Sequence, residues 1–161
     1  MVFTNRIMLI AVLTVTLSGC GLVGSSGPPT ETQMQDIRLN DVGELYRAHQ
    51  ESYKKPPKSL NDFIKLGDAS APTGFEALRN KQVIVRWNAT LPDTSVEPTS
   101  PPSDQVLAYV KDVPERGGAV MMLDRRIRHM TPEQFKAAKL AGSDDPSRQS
   151  KAEAGSRSIP R

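Results

Sequence analysis

The chain has 161 residues, of which 37% are hydrophobic and 24% charged, and its formal net charge is +3. That length suggests one domain, and so small a charge argues against a nucleic-acid partner. The single cysteine excludes an internal disulfide.

Residues 1–20 read MVFTNRIMLIAVLTVTLSGC. Arg6 gives a short positive region, and residues 7–17 form a mainly apolar run of eleven. A helix needs about 20 apolar residues to cross the hydrocarbon core of a bilayer. The run is shorter than that and fits the core of a signal peptide, followed by small residues. The alternatives are an ordinary secretory signal and a short membrane helix. Leu17-Ser18-Gly19-Cys20 matches the pattern Leu-(Ala/Ser)-(Gly/Ala)-Cys at every position. It resembles the lipobox of bacterial lipoprotein signal peptides. The resemblance implies cleavage between Gly19 and Cys20, a diacylglycerol thioether on the Cys20 sulfur, and an acyl chain such as palmitate on the new amino terminus. Each buried CH₂ contributes about 0.8 kcal/mol, so several chains on one residue make a firm anchor. Membrane lipid is then the partner of acylated Cys20, and the location is the cell envelope. Gly21 follows the cysteine where an Asp would retain the protein at the inner membrane. By analogy with sorting in enteric bacteria, this leans towards the outer membrane, facing the periplasm.

Residues 20–30 continue as a lipidated Gly/Ser/Pro tether. A first helix is expected over 30–53, opened by the capping box Thr30-x-x-Gln33. Leu39, Val42, Tyr46, His49 and Tyr53 recur on one face, widened by Ile37 and Leu45. Lys54-Lys55-Pro56-Pro57-Lys58 breaks the helix as a solvated turn. Ser59-x-x-Asp62 opens a second short helix that ends at Gly67. Thr73-x-x-Glu76 starts a further helical turn around Phe75 and Leu78. Strands are expected at 82–87, 105–111, 118–123 and 126–130. Residues 88–104 are polar and proline-rich and read as a long loop. Residues 114–118 read as a turn, and Asp124-Arg125 as a two-residue hairpin joining the last two strands. Thr131-Pro132-Glu133-Gln134 opens a closing helix, with Phe135 and Ala138 facing inward and Gly142 as its stop. Residues 143–161 lack apolar residues to bury and read as a disordered tail.

The fold class is therefore α+β. An N-terminal amphipathic helix and a short helix pack on a small antiparallel sheet of three or four strands, with a short C-terminal helix. The domains are 1–19 signal peptide, 20–30 tether, 31–142 folded domain and 143–161 tail.

Several segments are familiar as a set. They run from Leu45-Tyr46 to Lys55-Pro56-Pro57-Lys58-Ser59-Leu60, through Val106-Leu107-Ala108-Tyr109 and Gly117-Gly118-Ala119-Val120 with Asp124, to Met130-Thr131-Pro132-Glu133-Gln134-Phe135. Over residues 36–140 this order resembles small bacterial lipoproteins and pilin-like proteins of type II secretion. Arg125 stands where that group has a hairpin glycine, and a lipobox stands where it has a hydrophobic packing helix. The resemblance implies a pilin-like globular fold without implying a pilus.

The residues offer no catalytic, cofactor-binding or metal site. His49 and His129 lie far apart in sequence with no ligand-spaced partner, and Asp144-Asp145 falls in the tail. Alternation places Arg126 and Arg128 on one strand face and Ile127 and His129 on the other, a possible anion-binding patch but more simply a solvated face. Three functions follow in order: a non-enzymatic envelope module that binds or scaffolds another envelope protein, a component of a secretion system, and an enzyme acting on envelope material, which would need a polar cleft. Nucleic acid is not expected as a partner.

Overall fold

A computed structural model describes residues 28–64, 66 and 70–144. Gly19, Cys20, the signal region and most of the tether and tail lie outside the described residues.

Helix α1 spans Glu31–Tyr53. Its capping box is closed in both directions: the Gln33 amide donates to the Thr30 hydroxyl at 3.3 Å, and the Thr30 amide to the Gln33 side chain at 2.8 Å. Leu39, Val42, Leu45, Tyr46 and His49 are buried along one face, as their spacing requires. Ile37 and Tyr53, assigned to the same stripe, are exposed. The helix stops where Lys54 turns left-handed and donates its amide to the Gln50 carbonyl.

A 3₁₀ turn follows over Leu60–Phe63. Asp62 holds its entrance by accepting from the amides of Lys58 and Ser59 at 2.7 and 3.1 Å. Helix α2, Pro72–Arg79, starts one residue before the Thr73 expected to open it. Its local cap is replaced by a distant one: Asp41 of α1 accepts from the Gly74 amide at 3.0 Å. A Cβ at Gly74 would lie 2.4 Å from the Asp41 Cβ, so glycine is what lets the two helices cross this closely.

Strands β1 (Val83–Val85), β2 (Gln105–Val110), β3 (Gly118–Met122) and β4 (Ile127–Met130) pair antiparallel in that order. β2 carries an extra residue between Val106 and Ala108 where it faces β3. This bulge turns both Leu107 and Ala108 towards α1, against strict alternation. On the α1 side the core gathers Leu39, Leu45, Tyr46, Phe63, Phe75, Leu107 and Met121. Burying such a side chain contributes about 1.5–3 kcal/mol. The other face of the sheet holds a smaller cluster of Val106, Val113, Val120, Met122 and Phe135. Met121 and Met122 thus enter opposite clusters.

Three local expectations are corrected. The 114–118 turn contains a single turn of helix, α3 (Val113–Arg116), closed by Gly117 at φ 72°. Between β3 and β4, Met122 and Arg126 close a loop of three residues, 123–125, not two: Arg125 donates its amide to the Met122 carbonyl, and the Met122 amide donates to the Arg126 carbonyl. Arg125 sits at φ 65°, the left-handed position that follows the first turn of such a loop. The closing helix, α4 (Pro132–Ala137), ends well before Gly142. Ala138 is extended, and Lys139–Leu140 form a fifth strand, β5, parallel to β2.

β5 occupies the edge of β2 that the short β1 leaves open. Beyond it, Trp87 and Ser143 exchange backbone hydrogen bonds at 2.8 and 2.6 Å. Gly142 makes this approach possible: at φ 48° its Cβ would fall 2.0 Å from the Trp87 carbonyl oxygen. Asp144 pairs with the largely buried Arg86, whose Nε also donates to the Ala141 carbonyl at 2.9 Å. Ser143 and Asp144 therefore belong to the folded domain, and a tail beginning at 143 starts too early.

Candidate functional site

The residues singled out for chemistry do not converge. His49 is buried, with its Nδ1 donating to the Lys55 carbonyl at 3.1 Å and its ring 4.7 Å from Tyr53. It fastens the end of α1 to the following turn. His129 is half-exposed, and its Nε2 lies 3.3 Å from Oδ1 of Asp36 near the other end of α1. His49 lies thirteen positions after Asp36 on α1, or about 20 Å at 1.5 Å per residue. Among the described residues no group of three His, Cys, Asp or Glu could hold a metal ion.

The basic strand divides as its alternation predicts. Ile127 packs on the α1 core, His129 reaches α1, and Arg128 is exposed opposite Val120. Arg126 pairs with Asp124 at 2.7 Å and reaches the Pro98 carbonyl at 3.4 Å. It serves the hairpin and the proline-rich loop, not an open anion patch.

Arg125 has a role that sequence reasoning missed. Its side chain is 5% exposed and pairs with Glu44 of α1 at 3.1 Å and with Asp93 at 3.5 Å. It also donates to the carbonyls of Ser95 and Val96. Asp124 completes the clasp from the other side by accepting from the Ser103 amide at 3.1 Å. Asp93 itself caps the loop, accepting from the amides of Ser95 and Ser100 at 3.1 and 2.8 Å. Desolvation pushes the Asp93 carboxyl upward, but the hydrogen bonds from Ser100 and Ser95 and the Arg125 charge outweigh it and hold the group below its ordinary value. The available signal was the arginine at a glycine position. An arginine held at positive φ implies that its side chain is needed there.

Two side chains of α1 secure the start of the same segment. The buried Tyr46 hydroxyl donates to the Arg86 carbonyl at 3.2 Å and accepts from the Ala89 amide at 2.9 Å. Burial raises its pKa well above the ordinary tyrosine range. Gln50 pairs with both the amide and the carbonyl of Leu91, at 2.9 and 3.1 Å.

A cleft of about 560 Å³ opens at the N-terminal end of α1, lined by Glu31, Gln35, Arg38, Gln82, Lys111 and Arg116 among others. Arg38 pairs with Glu31 at 3.0 Å, and Arg116 pairs with Asp112. Most of its charges are thus matched within the wall. No family model, no curated protein and no solved structure matches this chain. The functional reading therefore rests on the residues themselves.

Proposed function

We propose that the chain is a bacterial lipoprotein, anchored through acylated Cys20, whose α+β domain is a non-enzymatic binding or scaffolding module of the cell envelope. The observation that carries this reading is Leu17-Ser18-Gly19-Cys20 placed directly after Arg6 and the short apolar run. The position of the domain supports it: ten residues lie between Cys20 and Glu31, where α1 begins. A Gly/Ser-rich linker of ten residues would span about 16–19 Å on average, enough to set a domain beside a membrane without burying it. Membrane lipid is the first partner, and another envelope protein the second. The anchored form is placed at the outer membrane, facing the periplasm, on the strength of Gly21.

Metabolic labelling with a fatty-acid analogue tests this directly. The wild-type chain should take up label and sediment with membranes. Cys20→Ala should lose the label and keep its leader uncut at that site. Equal labelling of the two forms would overturn the reading. Association with a type II secretion system is a second reading, supported by α1 lying across an antiparallel sheet that a capped Thr131-Pro132-Glu133-Gln134 helix follows. Unchanged secretion after deletion of the gene would remove it.

A further inference from the structure

A smaller cleft of about 260 Å³ lies between the C-terminal end of α1 and the start of the proline-rich loop, lined by Gln50, Lys54, Lys55, Pro56, Thr90 and Thr94. Its charge is one-sided. Among the described residues no carboxylate lines it. The side chains of Lys54, Lys55, Thr90 and Thr94 have no hydrogen-bond or ion-pair partner among those residues. Nearby acids are engaged elsewhere: Glu51 with Arg47 at 2.7 Å, Asp62 with the amides of Lys58 and Ser59, and Asp93 with Arg125 and its own loop. This contrasts with the larger cleft, where most cations face an acid of the same wall.

The walls are also fixed. Lys54 donates its amide to Gln50, Lys55 accepts from His49, and Pro57 accepts from the Asn88 amide at 2.9 Å. The paired bonds between Gln50 and Leu91 tie the opposite wall to α1. Two ammonium groups and two hydroxyls are thus left on a framework that has already been ordered. Charge-assisted hydrogen bonds from such donors are the strong ones, and a preformed site avoids the cost of ordering on binding.

We infer that this cleft binds an oxyanion group, a phosphate or a carboxylate carried by a ligand, with Lys54 and Lys55 supplying charge and Thr90 and Thr94 supplying directed hydrogen bonds. The competing account is two solvated lysines that offset the negative end of the α1 dipole. The inference does not depend on lipidation of Cys20.

Amide NMR of the full-length chain in neutral detergent micelles tests it, at constant ionic strength. Inorganic phosphate and acetate are titrated separately, with chloride as the control. The expected result is saturable shifts confined to Gln50, Lys54, Lys55, Thr90 and Thr94. Lys54→Gln with Lys55→Gln should weaken binding about tenfold or more, and Thr90→Val with Thr94→Val by a smaller factor. All four positions are at the surface or at its margin, and retained dispersion of the spectrum confirms folding. Preference for phosphate over acetate assigns the group as a phosphate, and the reverse assigns a carboxylate. Shifts that chloride reproduces, that do not saturate, or that persist in the lysine variant overturn the site.

Discussion

Leu107 and Arg125 are both buried, yet they order their surroundings by different means. Leu107 sits at a bulge in β2 among apolar side chains of α1 and β3, where contact area decides stability and direction matters little. Arg125 sits at the hairpin and orders a loop through ion pairs and carbonyl contacts, whose strength depends on distance and, for the hydrogen bonds, on angle. The comparison shows how one small domain uses two kinds of cohesion. The sheet and helices are held by burial. The proline-rich segment, which has few apolar residues, is held by side chains reaching out from elements already folded. The first should respond mainly to lost volume, and the second to charge and acid.

The largest effect should come from the sheet. Leu107→Ala removes a fully buried side chain and should cost about 2–5 kcal/mol in urea unfolding. The loss should be global, lowering hydrogen-exchange protection throughout β2 and β3. Arg125→Ala should cost about 1–3 kcal/mol, below the usual penalty for breaking a buried pair because Glu44 is partly exposed. Its exchange signature should be concentrated in the loop, at residues 95–98. Arg125→Gly should recover about 1 kcal/mol of that loss, since glycine accepts φ 65° freely. If both variants loosened the sheet as much as the loop, the two regions would not be separable.

Tyr46→Phe keeps the packed ring and deletes only the bridge to Arg86 and Ala89. It should cost about 1–2 kcal/mol, with faster exchange of the Ala89 amide as the check. The smallest effect concerns acid. Asp93 is held below its ordinary value of 3.8. A depressed folded-state pKa gives stability that is present above the unfolded value and is lost as pH falls through the folded one. The loop should therefore loosen progressively below about pH 4. Asp93→Asn should abolish that slope, which loop exchange rates followed against pH would show.

Much of the architecture was legible because it is local. The capping residues Thr30 and Thr131 announce their helices, and the stripe of α1 and the alternation of β1 and β4 announce their faces. What escaped was set by distant partners. Residues 135–140 read as a continuing helix, because Phe-Lys-Ala-Ala-Lys-Leu has good helix propensity. Pairing with the open edge of β2 overrides that preference after Ala137. Thr73 looked like a helix cap, whereas Asp41 from another helix takes that role. Residues 88–104 read correctly as a loop, but its order depends on Tyr46, Gln50 and Arg125, each 29 or more residues from the backbone it grips. Of the candidate sites, Cys20 rests on its motif alone and lies outside the described residues. The cleft at Lys54 and Lys55 was not legible, because its second wall is contributed from Thr90 and Thr94.

The pairing of Trp87 with Ser143 has a consequence for timing. A chain made from its N-terminus has β1 long before it has the strand that seals the neighbouring edge. Helix α1 and the first strands can meet early, but Arg86 finds Asp144, and Trp87 finds Ser143, only once a further 55 or more residues have emerged. Sealing is therefore a late step in biosynthesis. Until residues 139–144 arrive, the β2 edge beyond β1 stays open and the Arg86 side chain lacks its carboxylate.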